Sequence, residues 1–323
     1  MASYRVGSAG PEVLEIQRRL ARLGHYAGPL DATFGGGTDA AVVSFQRSLG
    51  LDTDGVVGDR TWRALFGSDA APAPAVTRQP LPDRCLALTG AIETGAAPPD
   101  CFAAVTGDFD GQGISFGAIR LTLGSGTLGE FLRALDAGEP ACIDDVFHEN
   151  AGVLRAVLRA PIAEQLTWAR SIQHSALRQL DEPWNGMFRA LGRRPECRAL
   201  QVAFADRRFQ AAQALCREYS LWSERGVALM FDIVVQNGPI GPLVQAQIQR
   251  DCETMNGLDR DALELARMRS IARRRSAVCK PELAGDVLAR KMIIADGVGR
   301  LHGRSYDLAE DYGIRLFDVV LTS

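Results

Sequence analysis

Asp31-Ala32-Thr33-Phe34-Gly35-Gly36-Gly37-Thr38 and Asp54-Gly55-Val56-Val57-Gly58-Asp59-Arg60-Thr61 are two copies of one pattern. An aspartate, an apolar residue, a glycine and a threonine recur at the same spacing. The first copy leads into Val42, Phe45, Gln46 and Leu49, and the second into Trp62, Leu65 and Phe66. Ahead of both lie Val13, Leu14, Ile16, Gln17, Leu20 and Leu23. All three runs have helical spacing, which predicts three short helices joined by two matching turns. Gly35 and Gly58 are expected to take backbone angles that other residues avoid. Thr38 and Thr61 are expected to cap the helices that follow them.

These residues, with the turn Leu23-Gly24-x-Tyr26-x-Gly28 and the Phe45-Gln46 pair, resemble the peptidoglycan-binding domain found at the ends of many bacterial and phage wall hydrolases. The resemblance covers about residues 7–67. The Asp-Gly usual in the first turn is Asp31-Ala32 here. The likeness implies bacterial peptidoglycan as a partner, which limits the substrates expected of whatever follows.

The chain of 323 residues is long enough for one small and one medium domain, each with its own core. Its 46% hydrophobic content is ordinary for a globular protein, and its net charge of −3 gives no general argument for nucleic-acid binding. No run approaches the roughly 18–20 apolar residues that span a membrane. The opening Met-Ala-Ser-Tyr-Arg-Val-Gly lacks the apolar core of a secretory signal. Synthesis in the cytoplasm is therefore expected, with a phage holin or a contractile secretion device carrying the protein to the wall. Neither a nucleic-acid nor a membrane partner is expected, and the chain is read as a monomer. Cys85, Cys101, Cys142, Cys197, Cys216, Cys252 and Cys279 are scattered without a CxxC pair, so no metal site and no cofactor is expected. They read as mostly buried thiols, with a Cys85–Cys101 disulfide as the alternative.

Residues 68–82 hold four prolines and several alanines and read as a semi-extended linker. The domains are accordingly expected at 1–67 and 83–323. Beyond the linker, helical stripes dominate: Leu128, Phe131, Leu132 and Leu135; Leu154, Val157 and Leu158; Leu166, Ala169, Ile172 and Ala176; Phe209, Ala212, Leu215, Cys216 and Tyr219. Val227–Val235 is apolar almost all round and predicts a buried helix. Leu263, Ala266 and Ile271, and the segment 287–294, give two more. Only Ile114–Leu123 resembles a strand pair. The fold class is therefore mainly α: a small three-helix domain and a larger α-rich domain with a small β element.

The candidate chemistry lies between Glu93 and Gly126. Glu93 ends an apolar helical stretch, and Gly107-Asp108-Phe109-Asp110-Gly111-Gln112-Gly113-Ile114-Ser115-Phe116-Gly117 follows. Hydrolysis of a glycosidic bond needs a carboxylic acid to protonate the leaving oxygen and a second carboxylate to activate water. A glutamate against Ile92 and its neighbours is expected to have a raised pKa, while an aspartate in a glycine turn stays ionised. Glu93, Asp110 and Ser115 are thus the candidate catalytic residues, with Ser115 holding the water or serving as a plain strand hydroxyl. Asp108 is the rival for the base. The competing reading of Asp110 is a turn aspartate bonding its own backbone.

This arrangement resembles the lysozyme superfamily, and most of all the chitosanases of glycoside hydrolase family 46. That family pairs a helix-end glutamate with an aspartate in Asp-Gly-x-Gly-x-Thr-x-Gly. Here Asp110 lies seventeen residues after Glu93, one fewer than in the family, and Ser115 replaces the threonine. Gly124-Ser125-Gly126-Thr127 and Phe231-Asp232-Ile233-Val234-Val235-Gln236-Asn237-Gly238 are also similar to segments of that family. The resemblance implies a lysozyme-like or chitosanase-like fold for 83–323 and an inverting mechanism. Asp108, Gln112, Arg120, Asp232, Gln236 and Asn237 are the candidate substrate-binding residues. Asp232, in an apolar helix, needs a partner, such as the turn carrying Asp110 or an arginine like Arg120. Gln236 and Asn237 suit sugar amides or helix capping equally. His148, His174 and His302 lack metal spacing, and Arg267–Arg275 reads as a solvated helix face.

A peptidoglycan hydrolase of the muramidase type, phage endolysin or antibacterial effector, is the first functional expectation. A chitosanase, a non-catalytic wall-binding protein and a stem-peptide amidase are the alternatives. Chitosan is cationic and calls for a carboxylate-rich cleft, against which Arg120 stands.

Overall fold

The protein is described by a computed structural model over residues 3–68, 70–109, 111–174, 179–319 and 321. The repeated pattern becomes two turns built in the same way, between helices α1 (Pro11–Arg22), α2 (Gly36–Ser48) and α3 (Asp59–Phe66). Gln17 of α1 is fully buried. Its Nε2 donates to Asp31 Oδ1 at 2.8 Å, the Thr33 carbonyl at 3.0 Å and Thr38 Oγ1 at 3.2 Å, and its Oε1 accepts from the Ala32 N–H at 3.0 Å. Gln46 of α2 repeats the set on Asp54 Oδ1 (2.8 Å), the Val56 carbonyl (3.0 Å), Thr61 Oγ1 (3.1 Å) and the Gly55 N–H (3.0 Å). Each turn brings irregular backbone into the interior, and each glutamine satisfies it. Val13, Ile16, Leu20, Phe34, Val42, Phe45, Val57, Trp62 and Leu65 close the core around them.

Two local expectations are corrected. Thr38 and Thr61 do not cap: the N-caps are Gly35 and Gly58, without a side-chain bond, and the threonine hydroxyls instead face the glutamines. Gly35 and Gly58 have φ −94° and −88°, extended values open to any residue. The left-handed position follows the aspartate, where Gly55 has φ 72° and Ala32 has φ 60°.

The chain forms two units, residues 1–85 with 207–323, and residues 86–206. Helix α4 (Leu81–Thr94) spans the first boundary. In the unit 86–206, β1 (Val105–Thr106), β2 (Ser115–Phe116) and β3 (Leu121–Thr122) form an antiparallel sheet, with Ser115 opposite Thr106 and Thr122. Helices α5 (Thr127–Gly138), α6 (Pro140–Phe147), α7 (Ala151–Arg159), α8 (Ile162–Ser171) and α9 (Trp184–Arg193) follow. Phe116 carries the sheet into their core, its ring 6.2 Å from Phe131 and 5.7 Å from Phe188. Helix α8 ends at Ser171, leaving Ile172 as its C-cap; Ala176, expected on the same stripe, lies outside the described residues. Helix α10 (Pro195–Glu218) spans the second boundary.

In the other unit, α11 (Glu224–Asn237) is the expected buried helix, followed by α12 (Pro242–Glu253), α13 (Arg260–Ser276) and α14 (Pro281–Asp296). A hairpin, β4 (Val298–Leu301) and β5 (Arg304–Asp307), and a short α15 (Leu308–Tyr312) complete it. The sequence pattern gave no sign of that hairpin. The fold is mainly α with small β elements, as expected. The stretch read as a semi-extended linker is packed in part: Ala71 is buried in the N-terminal core, its N–H donates to Asp59 Oδ1 at 3.0 Å, and Ala75–Arg78 forms a 3-10 turn. Cys85, Cys101, Cys142, Cys197 and Cys216 are buried free thiols, and burial pushes Cys197 up to about 12.

The twin turns make a direct test. Ala32 holds a left-handed backbone at a cost that glycine avoids. Ala32→Gly should stabilise the three-helix domain by about 0.5–1 kcal/mol, and Gly55→Ala should destabilise it by more. A Cβ at position 55 would also collide with the Asp39 carboxylate. Hydrogen exchange of the α1–α3 amides reads both changes.

Candidate active site

Glu93 is the penultimate residue of α4, in a helix whose Leu88, Ala91 and Ile92 are buried. Its carboxylate is 14% exposed and stands 4.0 Å from Arg120 Nη1. Arg120 closes the corner between β2 and β3: its N–H donates to the Gly117 carbonyl at 3.1 Å, and its φ is 51°. From that corner Arg120 Nε reaches Ser115 Oγ at 3.5 Å. Ser115 is buried in the middle strand of the sheet. Glu93, Arg120 and Ser115 are thus brought together from a helix end, a hairpin corner and the central strand that leads into it.

The corner is held from α10. Gln201 is fully buried; its Oε1 accepts from the Ala118 N–H at 3.0 Å, and its Nε2 donates to the Phe102 carbonyl at 2.9 Å. The Gly117 N–H donates to the Ala104 carbonyl at 2.9 Å. A Cβ on Gly117, which has φ 78°, would collide with the Gln201 amide. Sequence reading passed over Gln201. A signal was there, because Cys197, Gln201 and Ala205 lie four residues apart on one buried stripe and a glutamine in such a stripe needs partners.

The loop between β1 and β2 carries the two aspartates. Asp110 lies outside the described residues. The Asp108 side chain is 9% exposed and paired with Arg170 Nε at 3.0 Å. Its Oδ1 accepts from the Gly111 N–H at 2.6 Å, and its own N–H donates to Gln173 Oε1 at 2.7 Å. Burial works to raise the Asp108 carboxyl; Arg170 and the N–H groups of Gly113 and Gly111 outweigh it and hold the group below the usual aspartate value. Asp108 therefore does what the competing reading assigned to Asp110: it ties the turn to itself and to the α8 segment. Gln112 is exposed, and its carbonyl accepts from the Gly124 N–H at 2.8 Å. A Cβ on Gly124 would come within 2.9 Å of the Gln112 Cα, so that glycine lets the 124–127 turn lie against the loop.

Asp232, Gln236 and Asn237 lie on α11, in the other unit. Asp232 is fully buried, and the arginine it bonds is Arg290, from α14: Arg290 Nε donates to it at 2.8 Å and Lys291 Nζ at 3.1 Å, both cations buried. Burial raises the Asp232 carboxyl, and the two cations more than reverse it, leaving it lowered. Burial lowers the Lys291 ammonium, and Asp232 offsets this only in part. Gln236 Oε1 accepts from Lys291 Nζ at 2.7 Å. Asn237 ends the helix, its carbonyl accepting from Arg275 at 2.6 Å and its Nδ2 donating to Cys279 Sγ at 3.9 Å. Among the described residues no cluster of three or more side chains suits a metal ion, and no helix is long and apolar enough to cross a membrane.

Residues 9–65 match the family described as "Putative peptidoglycan binding domain". The N-terminal domain belongs to this family. Curated relatives include a spore cortex-lytic enzyme of Oceanobacillus iheyensis (38% identity over 73 residues, 23% of this chain and 26% of that one), an N-acetylmuramoyl-L-alanine amidase of Mycobacterium tuberculosis (40% over 76 residues, 20% and 19%), and a chloroplastic protein disulfide isomerase of Arabidopsis thaliana (40% over 65 residues, 19% and 17%). The chain spans about a quarter or less of the length of these relatives. Among solved structures, a chitosanase from Bacillus subtilis MY002 is 20% identical, covering 72% of this chain and 97% of that one with a TM-score of 0.46. A Gynuella sunshinyii chitosanase of glycoside hydrolase family 46 is 18% identical, covering 70% and 88% with a TM-score of 0.42.

Two substitutions test the structural carboxylates. Asp108→Asn removes a charged acceptor and should cost about 1–3 kcal/mol. Because the folded-state pKa is depressed, the stability Asp108 contributes is complete above the ordinary aspartate value and is lost as pH falls through the lowered one. Urea melts between pH 7 and pH 3 should therefore show a shallower acid limb in the variant. Asp232→Asn leaves Arg290 and Lys291 buried without their counter-charge and should cost about 3–5 kcal/mol, read as a loss of denaturation midpoint.

Proposed function

We propose that the chain is a peptidoglycan hydrolase of the lysozyme type, cutting the glycan between N-acetylmuramic acid and N-acetylglucosamine. The observation that carries this reading is the meeting of Glu93 with Arg120 and Ser115 at the hairpin, in a chain that also bears a peptidoglycan-binding domain. Glu93 is the general acid: it gives its proton to the glycosidic oxygen as the bond to the anomeric carbon breaks. Asp110 is the general base, taking a proton from a water that Ser115 helps to hold. That water attacks the anomeric carbon from the opposite face, so the product has inverted configuration. The geometry this requires is a separation of about 6.5–9.5 Å between the two carboxyl groups.

Asp110 is favoured over Asp108 because Asp108 is already engaged by Arg170 and by the loop's own N–H groups. A base must be open to water, and Asp108 is nearly closed off. Peptidoglycan is the proposed partner of the first domain, and the seven cysteines and four histidines take no part in the chemistry.

The test is digestion of purified sacculi by the wild-type protein and its Glu93→Gln and Asp110→Asn variants, with released fragments identified by mass spectrometry. Muropeptides ending in a new reducing N-acetylmuramic acid are expected from the wild type. Each variant should be slower by about 10²–10⁴-fold, the usual contribution of a positioned acid or base. Bound protein with intact glycan would overturn the proposal, and cleavage of the stem peptide instead would move the activity to an amidase.

A further inference from the structure

We infer that Arg120 sets the substrate charge preference of this site, favouring a glycan that carries carboxylates and rejecting a cationic one; this deepens the glycan-cutting reading above and rests on it. The first observation is conformational. Arg120 occupies a left-handed backbone, φ 51°, at a hairpin corner where glycine is the residue without strain. Gln201 and the Phe102 and Ala104 carbonyls fix that corner, so the arginine side chain projects from a rigid base. Strained residues held by an over-determined surrounding point to a use for the side chain.

The second observation is placement. The guanidinium lies 4.0 Å from the Glu93 carboxylate and 3.5 Å from the Ser115 hydroxyl, yet the Arg120 side chain is 49% exposed. A guanidinium has five N–H donors in a planar fork. Nε donates to Ser115, and Nη1 faces Glu93 at ion-pair distance without a hydrogen bond; the exposed half of the group has N–H donors to offer an incoming ligand. That fork matches a carboxylate, which it can take with two parallel hydrogen bonds. A glucosamine polymer would instead bring an ammonium on each sugar against a fixed positive charge beside the acid. Selection thus comes from attraction to one substrate and repulsion of the other. Peptidoglycan supplies carboxylates from two sources: the lactyl group of muramic acid where the peptide has been removed, and the stem peptide where it remains.

The experiment compares the wild type with Arg120→Gly and Arg120→Lys on three substrates: intact sacculi, glycan strands stripped of peptide by an amidase, and glycol chitosan. Glycine suits the corner's backbone, so Arg120→Gly folds, and its thermal midpoint verifies this. Arg120→Gly is expected to lower kcat/KM on the carboxylate-bearing substrates by about tenfold or more, mainly through KM, and to shift the ratio toward glycol chitosan by at least as much. Arg120→Lys, which keeps the charge, should keep the wild-type order of substrates. A loss seen on stripped strands assigns the lactyl carboxylate; a loss confined to intact sacculi assigns the stem peptide. Equal changes on all three substrates, or none, would overturn the role of Arg120. A wild type that releases no reducing ends from sacculi would overturn the underlying function, and this inference with it.

Discussion

Buried irregular backbone must find hydrogen-bond partners, and in this chain glutamine side chains supply them. Gln17 and Gln46 each satisfy one of the twin turns of the first domain. Gln201 clamps the β2–β3 corner to the segment around Phe102, and Gln173 accepts from the backbone of Asp108. A turn that enters a core without such partners loses a few kcal/mol for each orphaned group. A primary amide is well suited to the task, because it donates and accepts within one rigid plane. The geometry around Glu93 therefore depends on residues with no part in the proposed chemistry. If the Gln201 amide were absent, the corner that aims Arg120 and Ser115 would lose its anchor.

The first domain was legible because its information is local. Repetition of Asp, Gly and Thr at one spacing is visible in the letters, and so are the helices that follow. What the letters hid was which atom does what. Thr38 and Thr61 stand where capping residues are expected, but their hydroxyls turn inward to Gln17 and Gln46. The need for glycine falls one residue after each aspartate, so Ala32, and not the fully conforming Gly35, is the strained position. Beyond it, the helix that ends near Glu93 and the strand pair within 114–123 were readable from local apolar spacing. The partner of Asp232 was not readable, since Arg290 and Lys291 lie on α14, distant in the chain. The hairpin at 298–307 escaped for a different reason. Its strands are short and mixed in polarity, without the strict alternation that marks a strand.

Two aspartates within three residues pose a problem of roles, and burial resolves it for one of them. Asp108 has its charge neutralised by Arg170 and its oxygens occupied by backbone N–H groups. Such a carboxylate is stabilised in its ionised form and poorly placed to accept a further proton. It is a good strut and a poor base. On the proposed reading, the base role falls to Asp110 because Asp108 has taken up the structural duty. Asp232 has a structural duty of the same kind, securing α11 against α14 through Arg290 and Lys291.

The packing of residues 71–78 changes what the peptidoglycan-binding domain could contribute to the proposed hydrolase. A random-coil tether of that length would let the domain roam over roughly 15–20 Å and add mainly local concentration. Here the chain after α3 is pinned. Ala71 enters the domain core, the Tyr4 hydroxyl donates to the Pro72 carbonyl, and Thr77 packs against Gly313. Arg5 pairs with Asp311 at 3.2 Å, and the Arg304 side chain fills the space beside Gly7. The peptidoglycan-binding domain is thus joined to the 207–323 segment by contacts from both its ends, within one unit. A domain held this way has fewer orientations to lose when it binds, so less of its binding energy is opposed by ordering. On the proposed reading, adhesion to the wall would then fix the direction in which the 207–323 segment faces the glycan, a constraint on orientation that a flexible linker could not impose.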